Sequence, residues 1–132
     1  MHSAFVLTLF AIFFVTESHR FKIKNVTVTG VLQCDSEPYK GAKVQIWIRN
    51  FDVEDEFLVS SVSDSEGRFE LTAFQKTHRA WFDPYIEFVH HCSATQGTTR
   101  YTAYIVYQHR IGSVYDLGTV SLDIAMNDDF SK

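Results

Sequence analysis

The stretch that decides the fold is Phe82-Asp83-Pro84-Tyr85-Ile86-Glu87-Phe88-Val89-His90-His91-Cys92. Its Asp83-Pro84 pair indicates a turn, because a residue before proline is displaced from the helical region of backbone space. The residues that follow alternate as they would along a strand. One face carries Ile86, Phe88, His90 and Cys92, and the other carries Tyr85, Glu87, Val89 and His91. The pattern therefore predicts a strand that places one of the chain's two cysteines on a mostly apolar face.

The other cysteine, Cys34, ends a strand of the same kind, predicted over residues 21–34. Two cysteines in a secreted chain usually pair, so we expect a disulfide between Cys34 and Cys92 that pins two sheets face to face. The bond would close a loop from residue 34 to residue 92, and it would stabilise the folded state by about 4 kcal/mol by lowering the entropy of the unfolded chain. The alternative is two free, buried thiols.

Further alternating strands are predicted on both sides of this pair, over residues 42–48, 57–63, 68–74, 100–109 and 115–123. Asp64-Ser65-Glu66-Gly67 predicts a hairpin turn, Gly30 is a candidate bulge, and Gly118 indicates a bulge or a close approach. Residues 75–81 have weak periodicity and are predicted to form a loop or a short helical turn. About seven or eight short strands, with a turn at roughly every ten residues, are typical of an all-β sandwich.

The chain opens with an apolar run, residues 1–15, that contains no Lys, Arg, Asp or Glu. The run is shorter than the roughly 20 residues that span a bilayer, and small side chains follow it at Thr16 and Ser18. We interpret residues 1–18 as a signal peptide and residues 19–132 as one mature domain; a buried amino-terminal helix is the alternative. No second apolar run of membrane length follows, so we expect a soluble, secreted product.

The formal net charge of −4 argues against nucleic acid as a partner, because neutralising phosphates requires a basic surface. Asn25-Val26-Thr27 is a sequon for N-linked glycosylation. If Val26 and Val28 point inward, Asn25 points outward, where it can carry a glycan.

Four blocks of the sequence resemble, in order, the transthyretin-like family, a large family of secreted proteins best known from nematodes. They are Gly30-Val31-Leu32-Gln33-Cys34 with Pro38 and Gly41-Ala42-Lys43-Val44, Asp64-Ser65-Glu66-Gly67-Arg68-Phe69-Glu70-Leu71, Asp83-Pro84-Tyr85 with His90-His91-Cys92, and Tyr115-Asp116-Leu117-Gly118-Thr119-Val120-Ser121-Leu122. The resemblance implies a transthyretin (prealbumin)-like β-sandwich and extracellular residence. Some members are thought to act at cell surfaces, including as bridges between exposed phospholipid and a receptor. No residue of this chain is assigned to that role by the resemblance.

The sequence departs from the family pattern at two places. The basic segment that such proteins usually carry between their last two long strands is reduced to Arg110-Ile111-Gly112-Ser113. Tyr39-Lys40 and Trp81-Phe82 stand where smaller or more polar residues are common. Ligand contacts made by the basic segment in relatives are therefore not expected here.

An immunoglobulin-type sandwich is the alternative fold, because Cys34, Trp47 and Cys92 have about the Cys…Trp…Cys spacing of that class. However, His90 stands where the tyrosine two residues before the second cysteine is expected, and Trp47 falls on the polar phase of its strand. Both features favour the transthyretin-like sandwich.

Three groups of residues could in principle bind a ligand, but their number and spacing do not predict a binding site. His90 and Cys92 share a face, yet two ligands are too few for a zinc site, so we expect His90 to be a core histidine that donates to a backbone carbonyl. The acidic residues within 51–56 lack the spaced pattern of a calcium loop. Arg20, Lys22 and Lys24 make at best a weak contact with an anionic membrane. We therefore predict neither a metal site nor a cofactor.

No catalytic residues are predicted. Hydroxyisourate hydrolases are relatives of transthyretin, but the sequence of residues 127–132 differs from their carboxy-terminal Tyr-Arg-Gly-Ser motif. The chain also contains no nucleophile-elbow or phosphate-loop motif. We expect a binding or signalling module rather than an enzyme.

A binding surface is predicted from aromatic residues whose burial is not guaranteed, namely Trp47, Tyr39, Trp81 and Phe82. Trp47 is the most informative, because it falls on the strand phase opposite Ile46 and Ile48 and tryptophan often anchors interfaces. The partner would be a cell-surface protein or a lipid headgroup. The competing hypothesis is a carrier that binds a small apolar ligand in a cleft between subunits, as transthyretin does; the sequence leaves the oligomeric state open.

Overall fold

The computed structural model describes residues 22–77 and 82–124. Strands dominate this part of the chain, which has one 3-10 turn (Gln108–Arg110) and no α-helix among the described residues. The strands are β1 (Lys22–Cys34), β2 (Glu37–Pro38), β3 (Lys43–Ile48), β4 (Glu56–Val62), β5 (Arg68–Thr77), β6 (Pro84–His90), β7 (Arg100–Ile105) and β8 (Val114–Ser121). Nowhere in the described ranges does a helix have the length and apolar composition needed to cross a membrane. The prediction of an all-β fold is confirmed.

The eight strands form two sheets. In the first sheet β1 pairs antiparallel with β2 and β5 and parallel with β8. The second sheet has the order β4-β3-β6-β7, with antiparallel neighbours throughout. The first two long strands, β1 and β3, therefore lie in opposite sheets, whereas an immunoglobulin domain keeps its first two strands in one sheet. The immunoglobulin alternative is wrong, and the transthyretin-like β-sandwich is confirmed.

The core lies between the sheets and follows the alternation within each strand. Three strands contribute side chains with no exposed surface: Val26, Val28 and Leu32 of β1, Val44 and Ile46 of β3, and Ile86 and Phe88 of β6. Phe69 of β5 meets Phe88 across the gap in an edge-to-face contact, with ring centroids 5.3 Å apart. Burying one side chain of this size contributes about 2 kcal/mol, so these in-phase residues are a main source of the sandwich's stability.

A disulfide joins the two sheets. Cys34 is the last residue of β1 in the first sheet, and Cys92 follows β6 in the second. The two are bonded, with their Cα atoms 5.7 Å apart. The predicted pair is confirmed, and the alternative of two free thiols is wrong.

Strand β6 is buried on both faces rather than on one. The inward residues Ile86 and Phe88 are fully buried, but Tyr85 and Glu87 on the outer face are also only 2% and 6% exposed. β6 is an interior strand between β3 and β7. Side chains of interior strands are flanked on both sides by cross-strand neighbours. Polar residues on the outer face of such a strand can therefore be buried.

Two predicted boundaries are wrong. β5 continues to Thr77 because residues 75–77 pair with the start of β1 at residues 22–24, so they are neither a loop nor a helical turn. β7 ends at Ile105 rather than at His109, because its partner β6 begins at Pro84 and the last bond of the pair runs from Val106 N–H to the Pro84 carbonyl. The chain then enters the 3-10 turn.

The predicted irregularity at Gly118 is confirmed, and it lies opposite Gly30. Thr29 pairs with Asp116 but Val31 pairs with Thr119, so β8 carries one extra residue at this point. Gly118 has a positive φ of 67°. A Cβ on Gly30 would lie 2.8 Å from Cζ of Phe69 and 3.0 Å from the Gly118 carbonyl oxygen. Glycine is therefore required at residue 30 for close packing, while the bulge itself belongs to β8.

Candidate functional site

The outer face of the second sheet carries a row of large side chains that crosses all four strands. Phe57 of β4 pairs with Trp47 of β3, Trp47 with Tyr85 of β6, and Tyr85 with Ile105 of β7. We call Phe57, Trp47, Tyr85 and Ile105 the outer row. Trp47, Tyr85 and Ile105 belong to the row because each is out of phase with the core residues of its own strand. Phe57 joins them through a one-residue irregularity in β4, which pairs Val59 with the inward Ile46 but Phe57 with the outward Trp47. The register then aligns the four at one level.

The two ends of the outer row are accessible and its centre is packed. Phe57 is 47% and Ile105 38% exposed, whereas Tyr85 is buried and Trp47 is partly buried. The Trp47 and Phe57 rings meet edge to face with centroids 5.5 Å apart. Trp47 also donates from Nε1 to Oε1 of Gln45 at 3.3 Å. Packing fixes the ring positions in advance, so little side-chain entropy would be lost if a partner bound there.

Tyr85 anchors the row electrostatically. Its hydroxyl donates to Oδ2 of Asp55 at 2.6 Å. Burial, and then the hydrogen bond to Asp55, raise the pKa of the Tyr85 hydroxyl far above its usual value, so it stays a neutral donor. The Asp55 carboxylate also accepts the backbone N–H of Asn50 through Oδ1. The link connects the sheet face to the acidic segment that leads into β4.

That acidic segment, residues 52–56, makes one edge of the surface negative. Asp52, Glu54 and Glu56 are exposed. Asn50 holds the segment in place by donating from Nδ2 to the Glu54 carbonyl at 3.1 Å. Among the described residues there is no group of three or more His, Cys, Asp or Glu side chains arranged to hold a metal ion.

A second polar link lies beside the row. Arg49 donates from Nε to Oδ2 of Asp83 at 2.8 Å, and the Arg49 backbone N–H donates to the Asp83 carbonyl. Arg49 also lies over the Phe51 ring, 5.5 Å from its centroid. Arg49, whose charge acts on Tyr85 of the row, is thus matched by a carboxylate, which leaves the acidic segment to set the charge of this edge.

The structure describes three of the four aromatic residues predicted to form the binding surface and does not bring them together. Trp47 lies in the outer row. Tyr39 is partly buried away from it, where its hydroxyl accepts the His91 backbone N–H at 2.9 Å and its ring contacts His90 edge to face. Phe82 is 1% exposed, so it packs inside and presents nothing to a partner. Trp81 lies outside the described residues.

Sequence reasoning missed Phe57 and Ile105, together with Tyr101, which is 54% exposed on β7. The phase of β7 was a usable signal for Ile105 and Tyr101, because both alternate with inward residues. For Phe57 the phase was misleading, because an irregularity in β4 turns it outward although Val59, two residues further on, pairs with the inward Ile46. What the phase could not supply is the register between strands that are far apart in sequence. Phe57 and Ile105 meet Trp47 and Tyr85 only through that register.

His90 is a core histidine, as expected, but its hydrogen bonds differ from those predicted. Its Nδ1 accepts the Cys92 backbone N–H at 3.1 Å, so the neutral ring carries its proton on Nε2 and donates to Oγ1 of Thr102, also at 3.1 Å. No backbone carbonyl is involved. Burial, and then the positive charges of Arg100 and His91, lower the pKa of His90 to about 4. Both ring nitrogens are occupied and Cys92 is bonded to Cys34, which leaves these two residues structural.

Comparison with known proteins identifies a matching family model, a relative in sequence and a partial overlap with a solved structure. A family model described as Transthyretin-like family matches residues 29–106, more than half of the chain. Transthyretin-like protein 16 of Caenorhabditis elegans is 29% identical over 112 residues, covering 84% of both proteins. Among solved structures, a 9R-lipoxygenase from Cyanothece PCC8801 overlaps 76% of this chain and 16% of its own length, with a TM-score of 0.43 and 21% identity. A score this low supports no argument about fold or activity.

The family match begins within β1 and ends just after β7, and so includes both cysteines and the whole outer row. On that match, this chain belongs to the transthyretin-like family.

Proposed function

We propose that this protein is a secreted, non-enzymatic adaptor that docks a cell-surface protein on the outer row of its second sheet. The observation that carries the proposal is the row itself. Half-exposed Phe57 and Ile105 flank a packed Trp47-Tyr85 centre. Pre-positioned aromatic residues beside a polar rim are the usual anchors of protein–protein interfaces.

The charge around the row favours a protein over a lipid headgroup. Asp52, Glu54 and Glu56 are exposed at its edge, and Arg49 is already matched by Asp83. Anionic headgroups require basic donors, and this edge would repel them. A partner with an apolar patch bordered by Lys or Arg would complement it, and the charge would also accelerate association.

A direct test measures binding of the labelled, secreted protein to intact cells of its own organism. Phe57→Ser should lower affinity by about tenfold, because truncating an anchor ring typically costs at least that much. Phe74→Ser is the matched control, since Phe74 is an exposed phenylalanine on the first sheet, at 65% against 47% for Phe57. Treating the cells with protease should abolish binding.

Two outcomes would contradict the adaptor proposal. Equal loss of binding in the Phe57 and Phe74 variants would mean that the outer row is not the contact. Binding that survives protease treatment and is reproduced on phosphatidylserine vesicles, but not on phosphatidylcholine vesicles, would identify a lipid headgroup instead.

The alternative is a carrier of a small apolar ligand held between subunits. Native mass spectrometry of the secreted protein distinguishes it, because a carrier must be a dimer or larger and must retain a small-molecule passenger. The same spectrum reports whether residues 1–18 have been removed, which tests the proposed secretion. Hydrolysis of hydroxyisourate by the purified protein would overturn the non-enzymatic assignment.

A further inference from the structure

The outer face of the first sheet carries a second apolar patch, distinct from the outer row. Its members are the exposed side chains of Ile23, Phe74 and Val114, with exposures of 70%, 65% and 58%. Ile23 lies on β1, and Phe74 and Val114 lie on the two strands that flank it, β5 and β8. The register places all three around the sequon: Phe74 lies opposite Asn25, Val114 opposite Thr27, and Ile23 two residues before Asn25.

Asn25, the first residue of the sequon, lies in the middle of this patch. Val26 and Val28 are fully buried, so Asn25 and Thr27 face outward, in the same phase as Ile23. Asn25 and Phe74 are direct cross-strand partners, which places their Cβ atoms about 5 Å apart.

The other side of Asn25 is open. Gly112 runs beside it, donating its backbone N–H to the Asn25 carbonyl at 2.6 Å. Gly112 has no side chain, and a Cβ built on it would meet nothing within 4 Å. A bulky group attached to Asn25 therefore has lateral room on the β8 side and an aromatic ring on the β5 side.

We infer that Asn25 carries an N-linked glycan whose first N-acetylglucosamine lies on the ring of Phe74 and covers the patch. In the transfer step, the Asn25 amide nitrogen forms a bond to C1 of that sugar and loses a proton. The bond from C1 to the lipid pyrophosphate donor of the host breaks, and the lipid pyrophosphate leaves. The inference depends on the secretory route of the proposed function, but not on its partner.

The chemistry of the pair suits a sugar. The C–H bonds on one face of a pyranose ring are weakly positive, and the face of an aromatic ring is negative. In the folded chain the Thr27 hydroxyl is engaged with that of Thr72 at 2.8 Å. Transfer therefore precedes folding, when the sequon hydroxyl is free. The glycan then stabilises the sheet it has been added to.

The test compares three forms of the full chain secreted from a eukaryotic host that adds high-mannose glycans. Endoglycosidase trimming leaves one N-acetylglucosamine on Asn25, and Asn25→Gln supplies the sugar-free reference. The trimmed form should melt about 3 °C above the reference, the size expected for one modest contact in a domain of this length. In the background of Phe74→Thr the difference should vanish.

Phe51→Thr serves as the matched control, because Phe51 is an exposed phenylalanine in the loop after β3. The increment should be unchanged in this variant. Nuclear Overhauser contacts between the sugar protons and the Phe74 ring give an independent readout.

The inference is overturned if the mass of the secreted protein shows Asn25 unmodified, or if the sugar increment is the same with Phe74 and with Thr at that position. Retention of the chain inside the host would count against the proposed secretion alone. Replacing residues 1–18 by a host signal peptide then still delivers Asn25 to the glycosylation machinery and decides the inference.

Discussion

At the scale of single residues, His90 makes the stability of this protein depend on pH. Its pKa is lowered to about 4 in the folded protein, mainly by burial, and returns to about 6.5 on unfolding. Between these values the unfolded state binds a proton that the folded state does not, so stability falls as the pH falls through this window. The loss from pH 7 to pH 5 should be about 2 kcal/mol.

Urea unfolding at the two pH values measures this loss. Replacing His90 by Asn keeps an acceptor for the Cys92 N–H and removes the titrating ring, so the variant should lose much less stability over the same range. His91→Gln is the matched control, because His91 is the exposed neighbour. A wild-type protein whose unfolding free energy is flat from pH 7 to pH 5 would contradict the neutral, buried His90.

The burial of His90 could be predicted from the sequence, but its hydrogen-bond partners could not. Alternation within the strand placed the ring on the inward face, and the structure agrees. The acceptor of its proton, Thr102, belongs to a strand that the sequence could locate but not register. Phe82 was mistaken for a surface residue for the same reason. The local sequence does not show whether an aromatic residue just before a strand packs into the core or faces solvent.

At the scale of elements, the pairing of β1 with β8 depends on the absence of a side chain at Gly30. A methyl group there would approach the Phe69 ring at 2.8 Å and the Gly118 carbonyl at 3.0 Å. Gly30→Ala should therefore destabilise the protein by roughly 1–3 kcal/mol, the usual cost of overpacking. Chemical denaturation of the variant checks the value.

A double-mutant cycle assigns the cause. Phe69→Leu alone removes part of a buried ring and is destabilising, but it should be less so in the Gly30→Ala background because it makes room for the methyl group. Strict additivity of the two changes would mean that the clash is not with Phe69.

Element phases were predicted better than element ends. The core residues of β1, β3 and β6 follow their alternation, because one buried face leaves little freedom of register. The ends of β5 and β7 were misplaced because a strand continues only as far as it has a partner strand. The end of β5 pairs with residues 22–24 and the end of β7 with Pro84, and both partners are far away in sequence.

At the scale of the whole molecule, the two faces of the sandwich have different surfaces. The second sheet presents the outer row beside an acidic edge, and the first presents the Ile23-Phe74-Val114 patch around the sequon. If a glycan covers the first sheet, the second is the sheet, among the described strands, that still offers exposed aromatic residues to a partner. Phe74 is therefore the control residue in the adaptor experiment and the tested residue in the glycan experiment.

The Cys34–Cys92 bond links the two sheets covalently at one end of the sandwich. It joins positions 58 residues apart, and in the loop-closure account its removal costs about 4 kcal/mol. The double replacement Cys34→Ser with Cys92→Ser should lower the unfolding free energy by about that amount, measured in urea. It should also reduce the secreted yield, since a loss of this size is a large fraction of typical domain stability.

The disulfide should also have a local effect on His90, which can be measured separately from its effect on global stability. Cys92 donates its backbone N–H to Nδ1 of His90, and its carbonyl accepts from Nη1 of Arg100 at 2.8 Å. Without the disulfide, Cys92 is free to move away from β1, and water can reach the imidazole. The pKa of His90 should then rise towards its ordinary value, which NMR titration of the folded variant measures. If stability falls while the His90 titration stays near pH 4, the disulfide acts only through the unfolded chain; if neither changes, the two cysteines are not bonded in solution.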